Sequence, residues 1–278
     1  MNESRIVIAQ ITDSHIRAPG RLAYCKVDTA HHLAQTVALL AAPPVPVDAV
    51  IVTGDLTDFA ADEEYAHFRK LVSPLSVPIY PVPGNHDERA ALRRAFADLI
   101  DLPAEGPQCH VADVGRVRVA MVDSTVPGAP HGEMTATTLA WLDRVLAEAP
   151  ERPTLVALHH PPFLTGVRHM DVQNCRGADA LEELLRRHPN VCGLTCGHVH
   201  RTVITTFAGQ AAMIAPSPAH AVSFDLAADA PPSFSMEPPA VLLHVWGAGS
   251  DAMTTHWLPV GRSDGPYPFF DDAGRLID

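Results

Sequence analysis

Positive charge is scarce in this chain: 20 Lys+Arg stand against 32 Asp+Glu, for a formal charge of −12. With no Lys/Arg stripe along any segment, a surface for duplex nucleic acid is not expected, because phosphate contacts need clustered cations. Cysteine is thin as well. Cys25, Cys109, Cys175, Cys192 and Cys196 are an odd number with no C-x-x-C pair, which speaks against a disulfide framework and fits a reducing, cytoplasmic setting. Cys192 and Cys196, four apart in an apolar run, read as small core residues and not as zinc ligands. No apolar run is long enough to cross a bilayer, and the one at 5–11 lacks a small-residue cleavage pattern, so no membrane association is expected. Internal repeats and low-complexity tracts are missing too.

What is present is an alternation of strand and helix. With 278 residues, 47% of them hydrophobic, the chain can build one large α/β domain with a small appendage. Apolar runs at 5–11, 49–52, 77–82, 154–158 and 191–196 read as strands. Segments at 27–42, 62–72, 89–99, 135–149 and 178–188 read as helices, with Asp28 to cap the first and Asp62-Glu63-Glu64 as an acidic first turn in the second. Prolines at 43–46 close the first helix, and those in 77–82 put that strand at an edge or a bulge. Residues 109–114 and 117–122 flank a tight turn at Gly115-Arg116 and form a hairpin; 164–176 reads as a long loop. After residue 200 come short strands (202–207, 210–215, 241–246, 253–258) without helices between them, so the tail is expected to be antiparallel. The whole predicts mixed α/β architecture, two packed sheets with helices outside. Residues 1–222 form the core, and 223–278 add strands and a tail that complete the second sheet; 261–278 shows no usable periodicity.

Polar residues with metal-binding chemistry gather at strand ends. Five strands each run into such a cluster: Asp13-Ser14-His15, Gly54-Asp55, Gly84-Asn85-His86-Asp87, His159-His160 and Gly197-His198-Val199-His200. Taken singly, Asp13 or Asp55 reads as a turn or cap residue, Asn85 as a turn residue and His159 as a hydrogen-bonded core histidine. Five clusters along one rim, where open α/β sheets put their chemistry, read as a site. Asp13-x-His15 and His198-x-His200 each place two side chains on one face if the backbone is extended. Asp55 has two oxygens, enough to hold two cations. Carboxylates, imidazoles and an amide with no thiolate suit Mn²⁺, Fe, Zn²⁺ or Co²⁺.

As a set, in this order, the clusters resemble the five-block signature of calcineurin-like metallophosphoesterases, over residues 13–200. Gly54-Asp55-Leu56-Thr57-Asp58 with Glu63-Glu64-Tyr65, the run from Gly84 to Arg89, His159-His160-Pro161-Pro162-Phe163, Met170-Asp171 and Pro216-Ser217-Pro218-Ala219-His220 are similar to the bacterial glycerophosphodiesterase and class III cyclic-nucleotide phosphodiesterase branch. The resemblance implies a four-layer αββα sandwich holding two divalent ions. Asp13, His15 and His200 would bind one, Asn85, His159 and His198 the other, and Asp55 would bridge them.

The implied reaction is hydrolysis of a small phosphodiester, a glycerophosphodiester or a cyclic nucleotide, by in-line attack of a metal-bridging hydroxide between ions about 3.5–4 Å apart. His86 is the candidate for contacting a phosphoryl oxygen or protonating the leaving alkoxide, with an orienting role as its alternative. His220 reaches the substrate if the Pro216 segment folds back over the metals. Asp58, Asp87 and Asp123 are expected to be acceptors that fix histidine tautomers, and His160 to be such a support or strand packing. The competing functions are a 3′,5′-cyclic AMP phosphodiesterase specifically, a nuclease or phosphomonoesterase on the same fold, and a non-catalytic scaffold. Because related diesterases pair through peripheral hairpins, a homo-oligomer joined through 230–239 and the tail is expected.

Overall fold

The computed structural model describes residues 5–42, 46–247, 252–261 and 263–277. Strand and helix alternate through the first part: β1 (Ile6–Ile11), α1 (Thr29–Ala41), β2 (Ala49–Thr53), α2 (Asp62–Val72), β3 (Ile79–Val82) and α3 (Arg89–Phe96). The hairpin β4 (His110–Val114) and β5 (Val117–Val122) follows, then the short β6 (Gly132–Glu133), α4 (Ala136–Ala147), β7 (Thr154–Leu158), α5 (Arg168–Asp171), the short β8 (Cys175–Arg176), α6 (Ala178–Arg186) and β9 (Val191–Cys196). The last part holds β10 (Val203–Phe207), β11 (Gln210–Ile214), the short pair β12 (Ala221–Val222) and β13 (Phe234–Ser235), β14 (Ala240–Trp246) and β15 (Met253–Pro259). Asp28 caps α1 by accepting the His31 N–H at 3.0 Å. Of the prolines expected to close α1, Pro43 and Pro44 lie outside the described residues.

Two large sheets result, ordered β15-β14-β1-β2-β3 and β10-β11-β9-β7-β5-β4. Their layering follows from side-chain alternation. Val7, Ala9 and Ile11 on one face of β1 pack with Leu33 and Val37 of α1, Phe68 of α2 and Phe96 of α3. Ile6 and Ile8 on the other face meet Val119, Met121, Leu155 and Ala157 of the second sheet. That sheet turns Val156, Leu158 and Leu194 outward onto Leu142 and Leu146 of α4 and Leu181 and Leu185 of α6. Four layers, αββα, are the outcome, and the proline-bearing β3 is an edge strand.

Three expectations are corrected. Residues 164–176 are not all loop: they contain α5, and β8 pairs in parallel with β6. The tail is not uniformly antiparallel, since β11 runs parallel to β9. Finally, β14 and β15 join β1 in the first sheet, antiparallel, instead of completing the sheet of β9. β14 is buried at every position, which suits an interior strand covered on both faces and not an edge.

One inward position of β1 is polar. Gln10, fully buried, donates from Nε2 to Thr53 Oγ1 at 2.7 Å and to the Cys196 carbonyl at 3.0 Å. Its Oε1 accepts from Thr195 Oγ1 at 2.5 Å and lies 3.0 Å from His244 Nε2. Both sheets are thereby fastened together at the end where β1, β2 and β9 deliver their polar clusters.

Candidate metal centre

The loops that leave the strands are bonded to one another before any side chain is considered. The N–H groups of Asp13, His15 and Ile16 donate to the carbonyls of Gly54, Asp55 and Leu56, each at 3.0 Å, so the segments after β1 and β2 run zipped together. In the second sheet Gly197 N–H donates to the His159 carbonyl at 3.0 Å. Asp87 joins the loop after β3 to that after β2: it accepts from the N–H groups of Gly84 (3.0 Å), Leu56 (3.1 Å) and Thr57 (3.3 Å), and from the Tyr65 hydroxyl (2.9 Å). Gly84 has no room for a side chain, because a Cβ there would run into the Asp55 carboxylate and backbone nitrogen.

Asp13, His15, Asp55, His198 and His200 all adopt positive φ, 52°, 43°, 49°, 74° and 56°. The left-handed region is uncommon for side-chain-bearing residues and costs of order 1–3 kcal/mol each, tolerated best by Asp, Asn and His. The paired residues Asp13/His15 and His198/His200 therefore reach a common centre by backbone kinks, not by the alternation of an extended segment. Convergence was expected for a different reason from the one that produces it.

Asp13, His15, Asp55 and His200 offer donor atoms all within 4.8 Å of one another. Nε2 of His15 lies 3.1 Å from Nε2 of His200 and 3.6 Å from Asp55 Oδ2; His200 Nε2 lies 3.4 Å from Asp13 Oδ1. A second group surrounds the same carboxylate oxygen: His159 Nε2 stands 3.4 Å from Asp55 Oδ2 and 3.1 Å from Asn85 Oδ1. The His198 ring sits 5.1 Å from that of His159, and its Nε2 is buried without a partner. All seven side chains named from the sequence are thus brought together, with Asp55 between two sets.

Whether the residues fit cations is answered by the far side of each ring. His15 Nδ1 faces Asp58 Oδ1 at 3.2 Å, His159 Nδ1 faces the Thr53 carbonyl at 2.8 Å, and His200 Nδ1 faces the His220 carbonyl at 3.3 Å. These partners only accept, so Nδ1 carries the hydrogen and the Nε2 lone pair of each ring turns to the centre. Such outer partners are what metal-binding histidines require. The donor set fits two divalent ions.

Without ions, the electrostatics divide the donors: the carboxylates favour a proton on His15 and His159, which a bound cation would replace, while burial keeps His198 and His200 neutral. Burial raises Asp13 to about 6, with His159 opposing and Asp55 adding to the shift. Asp55 feels the same burial, but His159, His86 and His15 outweigh it and hold the carboxyl well below the usual range. Burial depresses His159, yet Asp55 and Asp13 bring it up to about 9. Burial lowers His198 to about 3 and His200 well below its ordinary value. His198 and His200 are neutral donors, as metal ligation requires.

Of the four support residues named from the sequence, Asp58 alone bonds to a ring of the predicted set. Asp87 holds backbone, as above. Asp123 accepts from Arg89 Nε (2.7 Å), the Gln108 N–H (2.7 Å) and the Thr125 N–H (2.8 Å), and so anchors the start of α3 instead of fixing a tautomer. A single Asp in a sequence does not reveal whether a ring or a loop will be its donor. His160 packs 4.7 Å from the His159 ring and 4.8 Å from that of His198, with its Nδ1 2.9 Å from Ser124 Oγ.

His86 N–H donates to Asp55 Oδ1 at 2.8 Å, its Nδ1 faces the Asp58 carbonyl at 3.0 Å, and its side chain is 36% exposed. The Pro216 segment does fold onto the centre: Ser217 Oγ donates to the Asp13 carbonyl at 2.9 Å, and the His220 ring lies 4.6 Å from His200 and 5.6 Å from His15. Sequence reasoning pointed to 17–25 as a source of substrate-discriminating contacts without singling out residues; there the structure places Arg17, two residues beyond His15, with its Nη1 3.1 Å from Asp58 Oδ2, and Tyr24, whose ring meets His220. Neither stands in a motif; the first has only its spacing from His15 as a signal.

Across residues 6–202 the chain matches the calcineurin-like phosphoesterase family. It is 38% identical over 274 residues to a probable glycerophosphodiester phosphodiesterase, GpdQ, of Arcobacter nitrofigilis, covering 98% of this chain and 100% of that protein. With the 3′,5′-cyclic adenosine monophosphate phosphodiesterase CpdA of Escherichia coli K12 it shares 34% identity over 215 residues, 77% of each chain. A dimetal phosphatase from Danio rerio superposes with a TM-score of 0.64 over 92% of this chain and 99% of that one, at 15% identity, which is a likeness of fold.

Proposed function

The chain belongs to the calcineurin-like phosphoesterase family, and from that premise we propose that it is a binuclear-metal phosphodiesterase whose substrates are glycerophosphodiesters. The reading of the reaction is carried by Asp55, one carboxylate between two sets of histidine Nε2 lone pairs. Cyclic nucleotides are the second substrate class. Glycerophosphodiesters are placed first because similarity to the probable glycerophosphodiesterase runs the whole length of both chains, whereas that to CpdA covers 77% of each.

In this reading Asp13, His15 and His200 hold one ion, Asn85, His159 and His198 the other, and Asp55 both. The ions, Mn²⁺, Fe, Zn²⁺ or Co²⁺, would supply an acidified water and neutralise charge on the phosphoryl oxygens. His86, its Nδ1–H spent on the Asp58 carbonyl, presents Nε2 to the substrate and, when protonated, donates to a phosphoryl oxygen or to the departing alkoxide. His220, its ring 4.6 Å from His200 and 5.6 Å from His15, is the second candidate for contacting the substrate.

The enzyme would work in the cytoplasm, where five free thiols are stable, and as a homo-oligomer joined through 230–239 and the tail. No helix among the described residues is long and apolar enough to cross a membrane. The test is to load the purified protein with Mn²⁺ and compare glycerophosphoethanolamine with 3′,5′- and 2′,3′-cyclic AMP. Glycerophosphoethanolamine should have the highest kcat/KM, single- and double-stranded DNA should remain intact, and Asp55→Ala should be inactive. A metal-loaded protein that turns over none of the three diesters overturns the proposal.

A further inference from the structure

Tyr24 stands beside this centre in a conformation that a tyrosine adopts only when it is held there. Its φ is 52° and that of Cys25 is 55°, two consecutive left-handed residues, the first of them bulky, a kind of outlier that concentrates at functional sites. The tip is closed by reciprocal bonds, Ala23 N–H to the Val27 carbonyl and Val27 N–H to the Ala23 carbonyl, both 2.9 Å. Ala23 and Val27 are buried with Ala219, and Phe234 packs against them, so the tip is tied to the segment that carries His220. Tyr24 is 49% exposed. Its centroid lies 5.3 Å from His220, edge to face, and 5.1 Å from Phe234. Burial, then the charges of Asp58, Asp55 and Asp13, push its hydroxyl up to about 12, so it remains an O–H donor within the field of the carboxylates that define the centre.

Resting on the diesterase reading above, we propose that Tyr24 is a substrate-binding residue that favours alcohol arms bearing hydroxyl groups. Its ring, backed by Phe234, is a wall for the alcohol arm of the diester. Its hydroxyl donates to a hydroxyl oxygen of that arm, a contact that glycerol can accept and an unsubstituted aryl arm cannot.

Tyr24→Phe and Tyr24→Ala are compared with the wild type, all loaded with Mn²⁺, on glycerophosphoethanolamine and on diphenyl phosphate, whose arms carry no acceptor beyond the ester oxygens. Tyr24→Phe should raise KM for glycerophosphoethanolamine about fivefold, the worth of one neutral hydrogen bond, with kcat unchanged and KM for the aryl diester unchanged. Tyr24→Ala should raise KM for both. Because Tyr24→Phe keeps the ring and its packing, an effect on both substrates alike, or on neither, overturns the proposal. Failure of the diesterase reading looks different: the wild type itself would turn over neither compound.

Discussion

His15 gives its Nδ1 to Asp58, 3.2 Å away, and the other oxygen of Asp58 is held by Arg17 at 3.1 Å. Arg17 is fixed in turn by Glu64, 3.2 Å from its Nε, and by the face of Phe59, 4.3 Å from the guanidinium carbon. The chain Glu64–Arg17–Asp58–His15 orients one of the side chains proposed to hold the first ion, which gives a way to separate the two proposed sites experimentally. Asp58→Asn should weaken binding at the Asp13/His15/His200 site by about 10–100-fold, the usual cost of losing such a partner, and leave the Asn85/His159/His198 site near its wild-type affinity. Titration with Mn²⁺ in a calorimeter reads this as one step of two moving. If both steps move together, Asp58 supports the fold and not the ligand.

Gly84 and Gly20 make a paired prediction about backbone room. A Cβ at Gly84 meets Asp55, whereas one at Gly20, also a loop glycine, meets nothing within 4 Å. Gly84→Ala should displace Asp55, cost about 1–3 kcal/mol through overpacking, and abolish turnover. Gly20→Ala, strained by its φ of +77°, should cost about 1 kcal/mol and leave turnover intact. Thermal melts and initial rates on the two variants check this. An active Gly84→Ala protein would mean that Asp55 does not need its observed position.

His86 separates chemistry from metal binding. Its ring is bonded to the Asp58 carbonyl and belongs to neither of the two ligand sets, so His86→Ala should leave both metals bound while kcat falls about 10²–10⁴-fold, the range for a lost acid–base group. The loss should shrink for a diester with a good leaving group such as p-nitrophenolate, which needs no proton. Metal content by elemental analysis alongside the two rates distinguishes this from a structural lesion, which would lower metal content as well.

The layered fold and the gathering of polar clusters at one rim were legible in the sequence because each cluster lies within a few residues of the end of an apolar run; the choice of seven donors among them came from the family resemblance and not from the runs. The means of convergence were not legible. Positive φ at Asp13, His15, Asp55, His198 and His200 could not be read from residue type, since Asp and His, though enriched there, are equally at home in ordinary turns. Nor were the partners of Asp87 and Asp123, because an acceptor's donors are set by which loops meet in space. The placement of β14 beside β1 was missed for a related reason: an apolar run of seven residues fits the interior of either sheet, and only the pairing register chooses.

Acid sensitivity should come in part from a histidine remote from the chemistry. His244, on β14, is fully buried between Gln10 Oε1 at 3.0 Å and Thr255 Oγ1 at 2.9 Å. Burial alone lowers it to about 4 from an ordinary value of 6.5. Between those two values the unfolded chain holds a proton at this residue that the folded chain does not, so stability rises with pH across that window and is lost as pH falls through it. At about 1.4 kcal/mol per pH unit, the loss near pH 4 is about 3 kcal/mol, a large part of the 5–15 kcal/mol typical of a folded domain. The sign is opposite to that of a salt-bridged histidine, which would add stability in acid. Other buried histidines contribute in the same direction, His110 among them at about 4, so the wild-type slope alone does not isolate His244. The difference between wild type and His244→Gln does: urea unfolding of the chelator-treated proteins from pH 7 to pH 4 should show that difference moving by about 3 kcal/mol in favour of the variant as pH falls. A difference that stays constant would show that the His244 proton does not distinguish the folded chain from the unfolded one.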